Sequence, residues 1–171
     1  MAQINLEWHW IQWNSQDGFS TEDIEHLDLK RAVYVIRLNT PFVIEYGSSY
    51  SPVLYIGEGD LLTRLASHGT WIEDLSELVD KFGLSVAVST PRVRNNVSAY
   101  RDVEAALLNK FKELFDNCLP LRNLQNEYQK IEHEYDLSAL KEPLQIGKGN
   151  RYMWSIKPMK SNKFHTAYHT N

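Results

Sequence analysis

Ala32-Val33-Tyr34-Val35-Ile36-Arg37-Leu38 is a run of β-branched and aromatic residues. Asn39-Thr40-Pro41 breaks it, and Phe42-Val43-Ile44-Glu45-Tyr46 and Val53-Leu54-Tyr55-Ile56-Gly57 follow. Side chains of this kind suit a pleated, half-buried surface, and Asn and Pro suit turns, so the region reads as successive strands. Upstream, Ile4, Leu6, Trp8 and Trp10 alternate with Asn5, Glu7 and His9, a period of two that predicts another strand. Ser15 to Gly18 reads as a loop, and Ser20-Thr21-Glu22-Asp23 offers a cap followed by acids for a short helix to about Leu29.

Downstream of Gly57 the pattern turns helical. Asp60 can cap a helix running to about His68, and Ile72 to Phe82 reads as a second helix ended by Gly83. Leu84 to Ser89 is a strand. Ser98 can cap a long helix to about Asn117, in which Val103, Leu107, Phe111 and Leu114 form an apolar stripe. Glu127 to Leu140 reads as a further helix, and Arg151 to Lys157 alternates like a late strand. Strands and helices fall in clusters, which predicts an α+β fold with a small, mainly antiparallel central sheet flanked by helices. Residues 30–126 would form the main domain, with an acidic extension at 1–29 and, at 127–171, a helix plus a basic, aromatic-containing extension.

Composition narrows the classes. The chain has 171 residues, 43% hydrophobic and 12% aromatic, which is enough for one packed core and argues against disorder. A lone cysteine, Cys118, cannot form an internal disulfide and fits a reducing compartment. The first residues show no basic stretch followed by an apolar one, and no apolar run approaches the ~20 residues of a membrane span. The expectation is a soluble, cytoplasmic protein with no membrane partner. Net charge is −4, but it is unevenly spread. Residues 1–29 carry six acids and no Lys or Arg, whereas residues 145–171 carry Lys148, Arg151, Lys157, Lys160 and Lys163 and no acid. That asymmetry points to nucleic-acid contact through the basic end, the alternative being that the two ends pair with each other.

Several residues could carry chemistry. Arg64 and His68 stand at i and i+4 and would share a helix face; Arg offers a planar fork suited to phosphate, and His exchanges protons near neutrality. Glu104 falls at the border of the apolar stripe, where a carboxylate needs a partner or a cation. Tyr34 and Tyr55 lie on strands, and Gly57 in a strand pattern implies a bulge or a close backbone approach. Taken singly, each has a plain structural reading: surface ion pair, solvated helix end, exposed glutamate beside Arg101, core aromatics.

Taken in order, the set resembles the GIY-YIG nuclease family from about Lys30 to Asn126. Ala32-Val33-Tyr34 stands where the family has Gly-Ile-Tyr, and Tyr55-Ile56-Gly57 matches the second signature as written. Arg64 takes the position of the catalytic arginine, His68 that of a histidine many members carry, Glu104 that of the metal-binding glutamate, and Asn123 that of the late asparagine. Ala32 for Gly, the long loop from Asn39 to Pro52 and the acidic Glu58-Gly59-Asp60 depart from the pattern.

The resemblance implies a DNA endonuclease, or one acting on another nucleic acid, as a monomer or homodimer. It implies Mg²⁺ or Mn²⁺ on Glu104 and products with a 5′-phosphate and a 3′-hydroxyl. Arg64 would stabilise the pentavalent phosphate, Tyr34 would orient or deprotonate the water with His68 as base or relay, Tyr55 would contact the phosphate or a metal-bound water, and Asn123 would support the site. Gly57 and the five basic residues of the C-terminal stretch would contact the nucleic acid. The competing expectation is a module that keeps this fold but only binds nucleic acid or a protein partner.

Overall fold

The computed structural model describes residues 4–14, 18–123 and 131–161. Its strands are β1 (His9–Asn14), β2 (Gly18–Phe19), β3 (Ala32–Leu38), β4 (Phe42–Tyr46), β5 (Ser49–Ser51), β6 (Val53–Gly59), β7 (Leu84–Ser89) and β8 (Trp154–Ile156). Its α-helices are α1 (Leu61–Ile72), α2 (Ser76–Phe82), α3 (Ala99–Leu114) and α4 (Leu137–Lys141). The fold is α+β. Five strands form an antiparallel sheet in the order β2-β1-β7-β3-β6, and a smaller mixed sheet has the order β5-β4-β8.

β3 is buried along its whole length, as a run of Ala, Val, Tyr and Ile with a strand on either side should be. Its register places Tyr34 opposite Gly57 on β6 and Val88 on β7, and Ile36 opposite Tyr55 and Val86. Directly opposed residues share a face, so Tyr34 and Tyr55 project from the same side of the sheet. β6 is an edge strand, and an edge leaves unpaired amide groups. Asn123 satisfies two of them: its Oδ1 accepts from Ile56 N at 2.9 Å and its Nδ2 donates to Ile56 O at 2.8 Å. The adjacent Arg122 N donates to Leu54 O at 2.9 Å.

Several elements differ from expectation. The first strand begins at His9 rather than Ile4, which instead bridges Tyr135. β1 pairs with β7, so the acidic N-terminal stretch supplies part of the main sheet. The helix expected to end at Leu29 is two separate 3₁₀ turns, Glu22–Ile24 and Leu29–Arg31. α1 runs past His68 to Ile72 because Leu61, Leu65, His68 and Ile72 keep the buried stripe going. Asp60 caps it, accepting from Thr63 N at 3.1 Å. Ser98 precedes α3 without a side-chain cap; Asn96 Oδ1 accepts from Ser98 N instead.

Of the late helix, only Leu137–Lys141 is helical among the described residues, and 124–130 lie outside them. Residues 131–136 are held in a non-helical path by Asp102. This buried carboxylate accepts from Glu132 N, His133 N and the Tyr135 hydroxyl. Burial and the neighbouring carboxylate both raise the pKa of Tyr135, so its proton stays on the hydroxyl as the donor. No helix among the described residues is long and apolar enough to cross a membrane.

Replacing Asp102 by Ala strands three donors, at least one of them buried. Hydrogen bonds to a charged group are worth ~1.5–3 kcal/mol. We expect Asp102→Ala to lose about 3 kcal/mol and ~6–12 °C in Tm, the scale for a chain of this size. Thermal unfolding would measure it, and an unchanged Tm would show that the segment after residue 130 is held by other contacts.

Candidate active site

Four separate elements bring side chains to one end of the main sheet. β3 supplies Tyr34, β6 supplies Tyr55 and Gly57, α1 supplies Arg64, His68 and Trp71, and α3 supplies Glu104. The Tyr34 hydroxyl is 2.8 Å from His68 Nε2, and Trp71 Nε1 donates to His68 Nδ1 at 2.8 Å. Tyr55 completes the cluster, its ring centroid 6.0 Å from that of Tyr34 and 4.5 Å from the His68 ring. Tyr34 is fully buried and His68 nearly so, whereas Tyr55 is half-buried.

Gly57 is explained by this packing. A Cβ there would lie 2.5 Å from Tyr55 Cε1 and 2.7 Å from the Tyr34 hydroxyl oxygen. Gly57 therefore makes room for the two tyrosines. Gly59 has φ +115°, a conformation that favours glycine, and faces Arg64 Nε.

The electrostatics follow from burial. Desolvation raises the Tyr34 pKa, Tyr55, Glu104 and Glu58 add to the rise, and Arg64 opposes it. Burial and then Glu104 raise the Tyr55 pKa, again against Arg64. Glu104, half-buried on α3, thus stands within electrostatic reach of both hydroxyls, and exposed Arg64 acts on the same pair from the other sign. For His68, desolvation comes first, then Arg64 and Arg122, and together they lower the pKa to about 4. The imidazole is neutral at physiological pH.

Six expected catalytic positions stand as follows. Tyr34, Tyr55 and His68 touch one another; Arg64 and Glu104 flank them. Asn123 stands one layer back, holding Ile56, the residue between Tyr55 and Gly57. The basic C-terminal residues lie elsewhere. Met153 N and Trp154 N donate to Pro41 O, beyond the Leu38 end of β3, and Lys157 pairs with Glu45 at 3.6 Å. Lys148, Arg151 and Lys160 are exposed, and Lys163 lies outside the described residues.

Basic residues do gather at the Tyr34 end of the sheet. Arg31, Arg92 and Arg94 line a cleft of about 370 Å³ with Asp28, Thr90, Asn96 and Val97. Sequence reasoning missed both this cleft and Trp71. Trp71 was legible as a residue three after His68, on the same helical face.

Among the described residues, no group of three or more His, Cys, Asp or Glu side chains is placed to hold a metal. One carboxylate beside a substrate phosphate suits Mg²⁺, which retains most of its waters, and does not suit a metal caged by protein ligands. Set against known proteins, the chain matches no family model, no curated protein and no solved structure.

The lowered His68 pKa carries a stability consequence. Unfolded, His68 takes up its proton near pH 6.5; folded, only near pH 4. Between these values the unfolded chain binds more protons, so stability is full above about pH 6.5 and declines as pH falls toward 4. His68→Gln removes the titration. Denaturant unfolding across that window should show a shallower decline in the variant, and parallel curves would contradict the burial assigned to this ring.

Proposed function

We propose that this chain is a metal-dependent phosphodiesterase that cleaves within nucleic acid, as an endonuclease of the GIY-YIG kind. The observation that carries the reading is the convergence of Tyr34, Tyr55, Arg64, His68 and Glu104 from four elements at one sheet end. A carboxylate, a guanidinium, two phenols and a neutral imidazole match what phosphoryl transfer demands: charge stabilisation, an oriented water and hydrogen-bond donors to the phosphoryl oxygens.

Glu104 would hold the Mg²⁺ or Mn²⁺. When bound, the ion would supply charge stabilisation at the phosphoryl group and a more acidic water. Arg64, exposed on the first turn of α1, presents a planar fork to two phosphoryl oxygens and balances the charge that develops on them. The tyrosine–histidine cluster supplies fixed, largely dry hydrogen-bonding groups whose orientation does not reorganise during the reaction. Asn123 fixes the edge strand that carries Tyr55.

DNA is the substrate best matched to the surroundings. Thr90 follows Ser89, which pairs with Val33, so the Arg31–Arg92–Arg94 cleft begins about two to three strand residues from Tyr34, or ~10 Å. That is about three nucleotides of a strand rising 3.4 Å each. A backbone bound at the tyrosine cluster would reach these arginines within that length.

Glu104→Ala should reduce Mg²⁺-dependent nicking of supercoiled plasmid to background while leaving the unfolding transition in place, and Glu104→Gln should behave alike because an amide is a poor Mg²⁺ ligand. Full nicking by Glu104→Ala would sink the assignment. Wild-type protein that binds DNA but never nicks it would instead favour a binding module.

A separate measurement tests the track. In Arg92→Glu/Arg94→Glu, DNA affinity should fall and the log–log salt slope should flatten by ~1.8, since each lost phosphate contact removes ~0.9 on duplex DNA. Lys157→Glu/Lys160→Glu should move affinity less. The reverse ranking would return the substrate to the C-terminal stretch.

A further inference from the structure

Trp71 sets the direction of the hydrogen bonds about His68. An indole N–H only donates. Trp71 Nε1 lies 2.8 Å from His68 Nδ1, so Nδ1 must be the unprotonated, accepting nitrogen. A neutral imidazole has one donor and one acceptor, so its proton is on Nε2. Nε2 is 2.8 Å from the Tyr34 oxygen and donates to it. The Tyr55 ring lies beside this pair, its centroid 6.0 Å from that of Tyr34 and 4.5 Å from the His68 ring. At both links the donor is the group nearer Trp71.

We propose that Trp71 is a positioning residue which locks His68 as a donor, and that the resulting one-way chain Trp71→His68→Tyr34 makes the imidazole a fixed hydrogen-bond donor to the Tyr34 oxygen and not the base that deprotonates it. This rests on the phosphodiesterase reading above and departs from the role of base or relay that the family resemblance implies for His68. His68 cannot take a proton from Tyr34, because the nitrogen facing Tyr34 already bears one. Tyr34, fully buried, offers no surface to a water or a phosphate, whereas Tyr55 is half-buried.

Aligned dipoles reinforce one another, so the bond from Trp71 strengthens the one that His68 makes to the Tyr34 oxygen. The lock is itself packed in place. The Arg122 guanidinium sits 4.8 Å from the Trp71 ring centroid, over a ring that is nine-tenths buried.

The tautomer can be read directly, without metal or substrate. Histidine-ring ¹⁵N NMR of the metal-free protein at pH 7 should show His68 protonated on Nε2 alone. Trp71→Phe, which keeps an aromatic filler but removes the indole donor, should yield a mixture of both tautomers. A proton on Nδ1 in the wild type overturns the proposal, and so does a wild-type-like spectrum in Trp71→Phe. The wild-type spectrum decides the chain's direction even if Trp71→Phe does not fold.

In nicking assays, Trp71→Phe should lower kcat about ten- to a hundredfold, the scale for an orienting partner one layer out. KM should hold. His68→Gln, which keeps a donor near the Nε2 position, should lose less rate than His68→Ala, whereas a base at His68 would make the two equally poor. A protein with the expected tautomer and no nicking activity would fail the nuclease reading alone.

Discussion

The Tyr34 ring can lie beside β6 only because residue 57 has no side chain. Any Cβ there would overlap the Tyr55 ring and the Tyr34 hydroxyl, so the two phenols can share one patch of sheet only over a glycine. Antiparallel register does the rest. Pairing Tyr34 with Gly57, and Ile36 with Tyr55, offsets the tyrosines by one residue pair on the same face. A one-residue slip would send them to opposite faces. The register is held by complete burial of β3 on both flanks and by Asn123, which completes the ladder on the exposed edge of β6. Site geometry and sheet stability therefore rest on the same pairing.

Around that pairing the molecule places a low-dielectric cluster between two opposite charges. Burial keeps the phenols and the imidazole neutral, so the cluster works by hydrogen-bond direction and not by its own ionisation. Arg64 and Glu104 sit at its more open side and bias it in opposite senses. Such an arrangement suits a reaction in which charge appears on the substrate, since the protein's dipoles are already oriented when it does.

The two ends of the sheet differ in character. At the Tyr34 end, a short connection from β6 leads into α1, which brings His68 to the two tyrosines, and arginines line the cleft there. At the Leu38 end, Asn39 and Pro41 turn the chain into β4, against which β8 docks in parallel and brings the C-terminal segment with it. Charge counted along the sequence pointed to the second end. Charge placed in space points to the first, because Arg31, Arg92 and Arg94 come from segments far apart in the chain.

The sequence by itself determined most of the elements. β3, β4 and β7 run where β-branched runs and turn residues put them, and α1 starts at its Asp60 cap, since these signals are local. The order of Tyr34, Tyr55, Arg64, His68 and Glu104 was also legible, because a resemblance is carried by order and spacing. Local signals could not show that His68 is buried, that Gly57 serves the tyrosines, that residues 131–136 avoid helix because Asp102 captures their donors, or that Trp71 fixes an imidazole proton. Each depends on groups from distant segments meeting at hydrogen-bonding or van der Waals distance. Propensity and periodicity describe a residue and its near neighbours; which nitrogen of His68 holds the proton is decided by where Trp71 and Tyr34 come to rest on either side of it.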